Sequence, residues 1–386
     1  MKATVSTPEI LIATTLRERK VGTGVQTQFS TFSSYLQRVG HPVRIVSSFS
    51  YSPLIVNPVL AVRKILKPVS KTAWLRWHRS WHFRYVKAAL RRAIQQSPNS
   101  VIYAQDPLSA EAALQVRENG QPVVLAVHSP NTEADEWVDH GVIATSSRLY
   151  AAMKTRERDL LRRVDKLVFA SDLQRTDLIS IYPDVEAVPS IVMPQFVEVP
   201  RTNGVSTPQR DAISVGTLEP RKNHRFLVNV IAAARTAGHR YSLTIIGEGP
   251  ERRALEAQIT RLGLDDLVNL KGRVDHDIGF ELEEHRIYLH ASRQESFGLA
   301  AVEAMALGMP TIVGDTGVVE FLQRGVETCV WHDLDHAQQG AELLISIMTD
   351  PQRMQEMGRR AKERYESSFS VDAIAPRLLA YLLDEF

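Results

Sequence analysis

Short runs rich in β-branched residues alternate with segments of helical length along the whole chain. In the first half the runs are EILIA, PVRIVSS, SVIYA, PVVLAVH and KLVFAS, and in the second half they are DAISVG, YSLTIIG, LVNLKG, RIYLHAS, PTIVGD and TCVWH. Amphipathic segments, for instance residues 25–39 and 221–237, separate most of them. This alternation predicts an α/β fold in which parallel sheets are covered by helices on both faces.

The 386 residues are enough for two domains with separate hydrophobic cores. A turn-rich stretch, VPRTNGVSTPQRDA at residues 199–212, has the composition of an interdomain linker. We therefore expect two Rossmann-like domains facing across a cleft. The first would cover residues 1–200 and the second residues 210–365.

Cysteine content and hydropathy bear on the compartment. The single cysteine, Cys329, excludes an intrachain disulfide and fits a reducing cytoplasm. The amino terminus MKATVSTPEILIATT is not typical of a signal peptide, and no unbroken apolar stretch is long enough to span a bilayer. We expect a cytoplasmic protein whose contact with a membrane, if it has one, is peripheral on the inner face.

Basic residues are concentrated in the first half, although the net charge is only +2. No residue between Glu18 and Asp106 is acidic, whereas that interval contains 14 Lys and Arg. It includes KTAWLRWHRSWHFRYVK, in which Trp74, Trp77 and Trp81 share one helical face. These tryptophans either pack into a core behind a solvated basic surface or border a surface that contacts anionic lipid. Nucleic acid is not an expected partner, because no base-reading motif accompanies the charge.

Glycine-containing turns follow nearly every predicted strand of the second half. GTLEPRKN follows DAISV, GEGPE follows YSLTII, KGRV follows LVNL, and RQESFG follows RIYLHAS. In parallel sheets, ligands bind beyond the carboxyl ends of the strands. Glycines let a ligand approach the backbone closely, and Arg221 with Lys222 adds two cations at one strand end. This combination predicts a diphosphate site.

The segment ESFGLAAVE carries two glutamates, Glu295 and Glu303, in otherwise small or apolar surroundings. Ser296 is predicted to be the N-cap of a helix that runs to about Leu307 and is ended by Gly308. The free amides at the start of this helix would bind an anion. Because carboxylates repel phosphate, we expect the two glutamates to accept hydrogen bonds from sugar hydroxyls. A nucleoside diphosphate sugar offers hydroxyl pairs on its ribose and on its hexose.

These motifs together resemble those of the retaining glycosyltransferases of family 4, which have the GT-B fold. The most specific part of the resemblance is SVGTLEPRKN, LTIIGEGPE and ESFGLAAVE in that order, followed by EAMALGMPTIV and TGVVE. The first half matches more loosely, through VGTGVQTQFSTFSSYLQRVGHPVRIVSS, IYAQDPLSA, VLAVHSP and VDKLVFASDLQRTDL. The end of the chain, FSVDAIAPRLLAYLL, resembles the final helix of the family, which crosses back to the first domain. Residues 366–386 would thus complete the first domain.

The resemblance implies that the second domain binds a nucleotide-sugar donor. Lys222, with Arg221 beside it, would hold the diphosphate and stabilise the leaving group. Glu295 would hold hydroxyls of the transferred sugar, and Glu303 those of the ribose; Lys222 and Glu295 would be catalytic. The other implied donor contacts are Gly216, Thr217, the backbone of Ser296, Phe297, Gly298 and Leu299 around the distal phosphate, and Gly272 and Arg273 beside the nucleobase.

The resemblance also implies that the first domain binds the acceptor. His128 would approach the donor sugar as a third catalytic residue, and the loop from Gly22 to Gly24 would approach the phosphates. Gly22 and Asp106 would lie on the acceptor side. His128 has an alternative interpretation, as a hydrogen-bonded histidine at a strand end, and for Asp106 a functional and a structural role are both open.

Other chemistries have less support in the sequence. GTGVQT contains the first two glycines of a dinucleotide fingerprint, but Thr27 replaces the third. Two Asp-x-Asp triplets, at residues 275–277 and 333–335, suggest a metal-bound sugar nucleotide, yet the cations near the phosphates already serve that purpose. We therefore expect neither a metal nor a cofactor.

The expected activity is the transfer of a hexose, with retention of configuration, from a nucleoside diphosphate sugar to a hydroxyl of a glycan or glycolipid in polysaccharide assembly. UDP-glucose is taken as the donor only because it is a common one. Two alternatives stay open. One is a GT-B sugar-nucleotide epimerase or phosphorylase, and the other is a non-enzymic regulator that binds sugar nucleotides.

Overall fold

The computed structural model describes residues 7–18, 23–51, 53–118, 120–129, 131–199, 208–274 and 276–384. The chain divides into two compact units, Met1–Met193 with Ala375–Phe386, and Pro194–Ile374. Most of the predicted linker, residues 199–212, lies outside the described residues.

The first unit is built on a parallel sheet. Its strands are β1 (Glu9–Thr14), β2 (Val43–Ser47), β3 (Ser100–Ala104), β4 (Val123–Val127), β5 (Lys166–Phe169) and β6 (Ser190–Val192). Their order across the sheet is β2-β1-β3-β4-β5-β6, so the order reverses between β1 and β3. The helices of this unit are α1 (Gly24–Arg38), α2 (Pro53–Ala61), α3 (Arg63–Val69), α4 (Lys71–Gln96), α5 (Pro107–Val116), α6 (Glu133–Asp139), α7 (Arg148–Leu161) and α8 (Asp172–Ile181).

The second unit has a parallel sheet of the same size. Its strands are β7 (Arg210–Val215), β8 (Leu243–Ile246), β9 (Val268–Gly272), β10 (His285–Leu289), β11 (Thr311–Val313) and β12 (Cys329–Val330), in the order β12-β11-β10-β7-β8-β9. Its helices are α9 (His224–Thr236), α10 (Arg252–Arg261), α11 (Ile278–Glu283), α12 (Leu299–Ala306), α13 (Ala337–Met348) and α14 (Pro351–Ser368). The last helix, α15 (Val371–Leu383), begins in this unit and ends in the first.

Both sheets are covered on both faces, which is why their central strands are apolar without alternation. Every residue of β3, β8 and β11 is buried. In the first unit, Leu11 and Ile102 share one apolar cluster with Leu90 of α4. In the second unit, Ile245 and the helices α9 and α13 contribute to another. Burial of these apolar faces is the main favourable term in forming each unit.

The parallel sheets confirm the predicted α/β fold, and each predicted run contains a strand. Strand β6 was not predicted, because its sequence SIV is short and only half-buried. The helix predicted from residue 221 begins instead at His224, after a 3₁₀ turn at Pro220–Lys222. This 3₁₀ turn places Lys222 outside α9.

The tryptophans of α4 do not all lie at the surface. Trp74 is only 8% exposed and packs edge-to-face on Trp137 of α6, with 5.8 Å between the ring centroids. Trp77 and Trp81 are half-buried in a cluster with Tyr85. The prediction of a lipid-facing surface that includes Trp74 is therefore wrong, because neighbouring side chains already cover that ring. Among the described helices, none has the length and apolar composition required to cross a bilayer.

Glycines allow the loops after β7 and β8 to touch. Gly247 has φ +148°, and a Cβ there would lie 1.8 Å from the carbonyl oxygen of Gly216. A Cβ at Gly249 would lie 2.4 Å from the carbonyl oxygen of Leu218. The amide of Gly247 also donates to the carbonyl of Gly272 at 2.9 Å. The glycines of GEGPE therefore serve the packing of one strand-end loop on another.

We expect Gly247→Ala to lower the free energy of unfolding by about 3 kcal/mol or more, because the backbone at Gly216 would have to move. Gly238→Ala is the matched control. Gly238 also has a positive φ, +91°, but nothing lies within 4 Å of an added Cβ, so its loss should stay near the strain of a left-handed residue, about 1–2 kcal/mol. Urea unfolding measures both variants. Equal losses of unfolding free energy in the two variants would show that the close approach of Gly247 to Gly216 does not contribute to stability.

Candidate functional site

The candidate site lies where the strand order of the second sheet reverses, between β10 and β7. These strands are parallel neighbours, so the loops that follow them emerge side by side. The loop after β7 carries Arg221 and Lys222, and the loop after β10 carries Glu295. The amide of Arg293 donates to the carbonyl of Arg221 at 2.9 Å and ties the two loops together. Strand order thus brings two of the predicted catalytic residues to one place.

A left-handed residue directly follows Lys222. Asn223 has φ 52° and ψ 38°, and no other non-glycine residue in the described part of the chain has a positive φ. Asn is one of the residues that adopt this conformation most readily, yet the conformation still costs about 1–3 kcal/mol. It separates the 3₁₀ turn Pro220–Lys222 from α9. Lys222 therefore lies in a turn and not in the first turn of a helix.

Lys222 and Glu295 form a buried ion pair. The Lys222 ammonium donates to Oε2 of Glu295, and each side chain is only 12% exposed. The same oxygen accepts from Oγ of Ser292 at 3.3 Å and lies 3.9 Å from Nη1 of Arg221. Oγ1 of Thr316 holds the backbone of Glu295, since it accepts from the amide at 3.1 Å and donates to the carbonyl at 3.2 Å. The cation predicted to bind phosphate and the carboxylate predicted to bind sugar are thus partners of each other.

The charges of this group follow from burial and proximity. Burial acts to raise the pKa of Glu295, but the Lys222 ammonium, with a contribution from His290, outweighs it and holds that pKa well below its usual range. Nε2 of His290 lies 3.4 Å from Oε2 of Glu295. Burial lowers the pKa of His290, and Lys222 lowers it further against the opposing effect of Glu295. Near neutral pH, Glu295 is therefore ionised, and the imidazole beside it is uncharged.

Three buried nitrogen atoms around the ion pair make no hydrogen bond to the described residues. They are Nδ2 of Asn223, Nδ1 of His224 and Nε2 of His290, which is within ion-pair distance of Glu295 but makes no hydrogen bond to it. Burial, followed by the proximity of His290 and Lys222, lowers the pKa of His224 to about 3. A buried polar group without a partner costs about 1–3 kcal/mol. Three such groups around one lysine indicate a site that a polar ligand completes.

Helix α12 begins later than the sequence predicts. The N-cap is Gly298, with φ +100°, and not Ser296, and the first helical residue is Leu299. A glycine in the left-handed region lets the chain turn into the helix two residues beyond the serine. The amides of Leu299 and Ala300 donate to no acceptor within the described residues. They are suitably presented to an anion at the helix start.

The loop before α12 is held by the TGVVE segment. The ring of Phe297 is buried, and its carbonyl accepts from the amide of Val318 at 2.6 Å. Gly317 makes this contact feasible, because a Cβ there would lie 2.3 Å from the same carbonyl. The TGVVE loop therefore supports the backbone of the loop that precedes α12.

Glu303 lies inside α12. Burial, and after it the charge of Asp277, raises the pKa of Glu303 to about 8. Its carboxyl group makes no hydrogen bond to the described residues. Tyr288 of β10 is near both glutamates: after burial, Glu303 and Glu295 are the causes that raise the pKa of its phenol. Near neutral pH, Glu303 is therefore mostly neutral and Glu295 charged, and their roles at one donor site stay a prediction.

The other predicted donor contacts of the second unit lie at strand ends. Gly216 follows β7, and a Cβ there would come within 3.7 Å of the Lys222 side chain. The next residue, Thr217, is exposed. Gly272 ends β9 with φ +80°, and the exposed Arg273 follows it. Their contacts with a donor stay predictions.

In the first unit, Asp106 lies at the corresponding reversal of strand order, between β1 and β3. Its carboxylate accepts from the amide of Thr15 at 2.7 Å and from the amide of Ser109 at 2.9 Å, so it caps α5 and holds the loop after β1. Burial raises its pKa against the effect of these hydrogen bonds. The hydrogen bonds explain its position without a ligand, and its role at an acceptor stays a prediction.

His128 follows β4, and its Nε2 lies 3.1 Å from Oε1 of Gln105. Burial lowers the pKa of His128 to about 4, so the imidazole is neutral. Gln174 fixes the backbone on both sides, donating to the carbonyls of Val127 at 3.0 Å and of Ser129 at 2.7 Å. The histidine is therefore held in place, and its catalytic role stays a prediction.

Gly24 is the first residue of α1, whose N-cap Thr23 forms a capping box with Gln26. Gly22 lies outside the described residues.

Sequence reasoning missed several residues around the ion pair. His290 and Ser292 carried a signal, because RIYLHAS turns polar at the carboxyl end of a strand, where ligands bind. His224 carried none, and Thr316 was noted only as the first residue of TGVVE. Thr316 acts on the backbone of a residue 21 positions away, and no local pattern encodes that contact.

We expect Lys222→Met to lower the free energy of unfolding by about 3 kcal/mol or more, because it leaves the Glu295 carboxylate buried without its partner. The double variant Lys222→Met/Glu295→Gln should recover most of this loss. Arg240→Met is the control, since its pair with Asp266 is well exposed and should contribute no more than about 1 kcal/mol. Chemical denaturation measures all three. A loss at Lys222 as small as that at Arg240 would contradict the buried pair.

Comparison with known proteins identifies the family. The model named Glycosyltransferase Family 4 matches residues 22–200, and the model named Glycosyl transferases group 1 matches residues 197–364. The uncharacterized glycosyltransferase YqgM of Bacillus subtilis is 27% identical over 274 residues, covering 68% of this chain and 70% of YqgM. The putative colanic acid biosynthesis glycosyltransferase WcaL of Salmonella typhimurium is 23% identical over 253 residues, covering 63% of this chain and 62% of WcaL.

A solved structure supports the same fold. Anabaena HepE, crystallised with UDP and glucose, matches with a TM-score of 0.67 at 16% identity, covering 97% of this chain and 99% of HepE. The two family models together cover nearly the whole chain. The chain therefore belongs to glycosyltransferase family 4 and has the GT-B fold.

Proposed function

We propose that this glycosyltransferase moves a hexose, with retention of configuration, from a nucleoside diphosphate hexose to a hydroxyl of a glycan or glycolipid in polysaccharide assembly. The observation that carries the proposal is the Lys222–Glu295 pair beside the start of α12, surrounded by buried polar atoms without partners. UDP-glucose is the proposed donor, supported by HepE, which was crystallised with UDP and glucose. A role in polysaccharide assembly is supported by WcaL, whose assignment to colanic acid is itself putative.

The diphosphate would take the place of Glu295 as the partner of Lys222. Two further groups would share in this role. They are the amides at the start of α12, where a Cβ added at Gly298 would lie 3.6 Å from Glu295, and the guanidinium of Arg221, 3.9 Å from the Glu295 carboxylate. Negative charge grows on the diphosphate as the bond to the sugar breaks, so these groups would stabilise the transition state more than the bound donor. Lys222 would in this way supply the neutralising charge that a divalent metal supplies in other transferases.

Glu295, released from Lys222, would accept hydrogen bonds from hydroxyls of the hexose, and Glu303 would accept them from the ribose. Ser292 and Thr316 keep Glu295 oriented during this exchange. For retention, the acceptor hydroxyl would attack from the face that the diphosphate leaves. A phosphate oxygen would receive the hydroxyl proton while the new glycosidic bond forms.

We propose a cytoplasmic location for the transfer. The buried thiol of Cys329, which is not in a disulfide, fits a reducing compartment.

The transfer itself is tested with a panel of UDP-, GDP- and ADP-hexoses and of glycan and glycolipid acceptors. A bound donor at 100 times its dissociation constant should stabilise the fold by about 2.7 kcal/mol. We expect one nucleotide to give this stabilisation and, with an acceptor, a product whose anomeric configuration by NMR is that of the donor. An inverted product would overturn retention. An epimerised free sugar would indicate the epimerase alternative, and binding without any turnover would indicate the regulator.

Glu295 and Glu303 should have different signatures in calorimetry. Glu303→Gln should weaken free nucleoside diphosphate and intact donor alike, by about ten-fold or more, since the ribose is common to both. Glu295→Gln should leave the free diphosphate bound at least as well, because Lys222 loses its competing partner, while turnover falls by about ten-fold or more. Equal weakening of free diphosphate binding by both variants would contradict this division.

Nucleotide binding should release a proton below pH 8. The pKa of Glu303 is raised to about 8, so its carboxyl is mostly protonated at pH 7, and ribose hydroxyls favour the carboxylate. Affinity should rise by up to about ten-fold per pH unit up to pH 8 and then level off. Titrations in buffers of different ionisation enthalpy count the proton. Glu303→Gln should abolish the release, and an unchanged release in that variant would assign the proton to another group.

A further inference from the structure

His290 directly follows β10 and is buried in the candidate site, where it is 6% exposed. Its backbone is held at both polar groups: the amide donates to the carbonyl of Ile312 at 2.8 Å, and the carbonyl accepts from Nε1 of Trp331 at 2.9 Å. Nε2 of the imidazole makes no hydrogen bond within the part of the chain that the structure describes. A buried polar atom without a partner, on a residue held this firmly, indicates that a partner moves to it.

The contact at Nδ1 determines which ring nitrogen of His290 carries the proton. Nδ1 lies 3.3 Å from the hydroxyl of Tyr288, whose ring is nearly parallel to the imidazole, at 18°. Burial, followed by Glu303 and Glu295, raises the pKa of the Tyr288 phenol well above its usual range, so the phenol keeps its proton and can donate. Nδ1 is then the acceptor of a neutral ring, and the proton is on Nε2. The other tautomer would direct the lone pair of Nε2 at the Glu295 carboxylate.

The proton on Nε2 is next to the carboxylate that pairs with Lys222. Nε2 lies 3.4 Å from Oε2 of Glu295, the oxygen that accepts from the Lys222 ammonium. While the lysine holds that oxygen, His290 makes no hydrogen bond to it. A displacement of the carboxylate by about 0.5 Å would bring the two atoms to the usual N–H···O distance of about 2.9 Å. His290 is therefore a donor that Glu295 can use when Lys222 leaves.

We infer that His290 is a positioning residue for the transfer: when Lys222 turns to the donor diphosphate, Nε2–H of His290 replaces it as the donor to Glu295 and orients that carboxylate toward the transferred sugar. The inference rests on the proposed function, because it requires a diphosphate that draws Lys222 away. No proton moves between atoms in this exchange. A neutral donor leaves the charge of Glu295 for the sugar hydroxyls, whose hydrogen bonds to a charged acceptor are stronger.

Kinetics of two variants test the inference. The probe is the nucleotide hexose that stabilises the wild type most, beginning with UDP-glucose. His290→Met fills the space without a donor and should lower kcat by about ten-fold or more, as expected for one hydrogen bond to a charged group. The Kd of the donor should rise by less than about three-fold, because the orientation of Glu295 matters most as the bond to the diphosphate breaks. His290→Gln should recover kcat to within about three-fold of the wild type, since its amide nitrogen can take the position of Nε2.

A double-mutant cycle shows whether His290 acts through Glu295. In the Glu295→Gln background, His290→Met should change kcat and Kd by less than about two-fold, because the carboxylate that it positions is absent. A histidine that only supported packing around β10 would lower kcat by the same factor in both backgrounds.

His285→Met is the matched control. His285 is the first residue of the same strand and is 2% exposed, and its Nε2 lies 2.9 Å from Oγ1 of Thr244. Its replacement should lower the melting temperature, because it leaves that hydroxyl without its partner. The kcat and the Kd of the donor should stay at the wild-type values.

Nitrogen-15 NMR observes the tautomer without any transfer. In wild-type protein labelled at the histidine rings, the signals of His290, assigned from their loss in His290→Gln, should show a protonated Nε2 and an unprotonated Nδ1. Tyr288→Phe should shift the Nδ1 signal. This measurement applies even if the His290→Met variant does not fold.

Three results would overturn the inference. They are a proton on Nδ1 of His290, a wild-type kcat in folded His290→Met, and an equal loss of kcat with and without the Glu295 carboxylate. Each of these leaves the proposed function standing. Donor binding by the wild type without transfer to any acceptor would instead contradict the proposed function, and this inference with it.

Discussion

The buried contact between the Lys222 ammonium and the Glu295 carboxylate is the interaction on which the site depends. Neither charge is stable in that position alone, because removal from water costs each ion several kcal/mol that only an opposite charge and further hydrogen bonds offset. Each surrounding feature supplies one of these. Ser292 and Arg221 add to the partners of the carboxylate, Thr316 holds its backbone, and the left-handed Asn223 lets the chain place Lys222 in a turn.

The same pair also limits how the site binds a ligand. A molecule that offered only a phosphate would capture Lys222 but leave Glu295 buried without a partner. A molecule that offered only hydroxyls would satisfy Glu295 but gain little from the lysine. A ligand that carries an anion and neighbouring hydroxyls can replace both partners at once, and a sugar diphosphate is such a ligand. The neutral imidazoles of His224 and His290 fit this exchange, since they add donors or acceptors without adding charge.

Sequence patterns predicted the two sheets, whereas they did not predict how the candidate site residues contact one another, and this difference has a physical cause. Each buried parallel strand is an apolar run that a local sequence pattern can identify without knowledge of the other strands. The pairing of β7 with β10 then places the loops that follow them side by side. Lys222 and Glu295 were proposed because their loops carry local motifs, and Glu303 because it lies in an otherwise apolar helix. The helix starts at residues 224 and 299 were predicted too early, since a left-handed Asn or Gly resets a helix without changing its hydrophobic pattern. The pairing of Lys222 with Glu295 was not predictable, because it depends on contacts between loops 73 residues apart.

Two helical stripes of the first unit show that sequence periodicity does not determine which side of a helix is buried. Trp74, Trp77 and Trp81 repeat at helical spacing, and so do Val62, Ile65 and Val69. Periodicity establishes in both cases that the residues share a face, but the direction of that face depends on what packs against it. Trp74 meets Trp137 of α6, a segment that lies beyond β4 in the sequence, and is covered. No described element covers Ile65 or Val69. Trp74 is therefore covered, whereas Ile65 and Val69 are exposed, and the spacing of the residues alone does not distinguish the two cases.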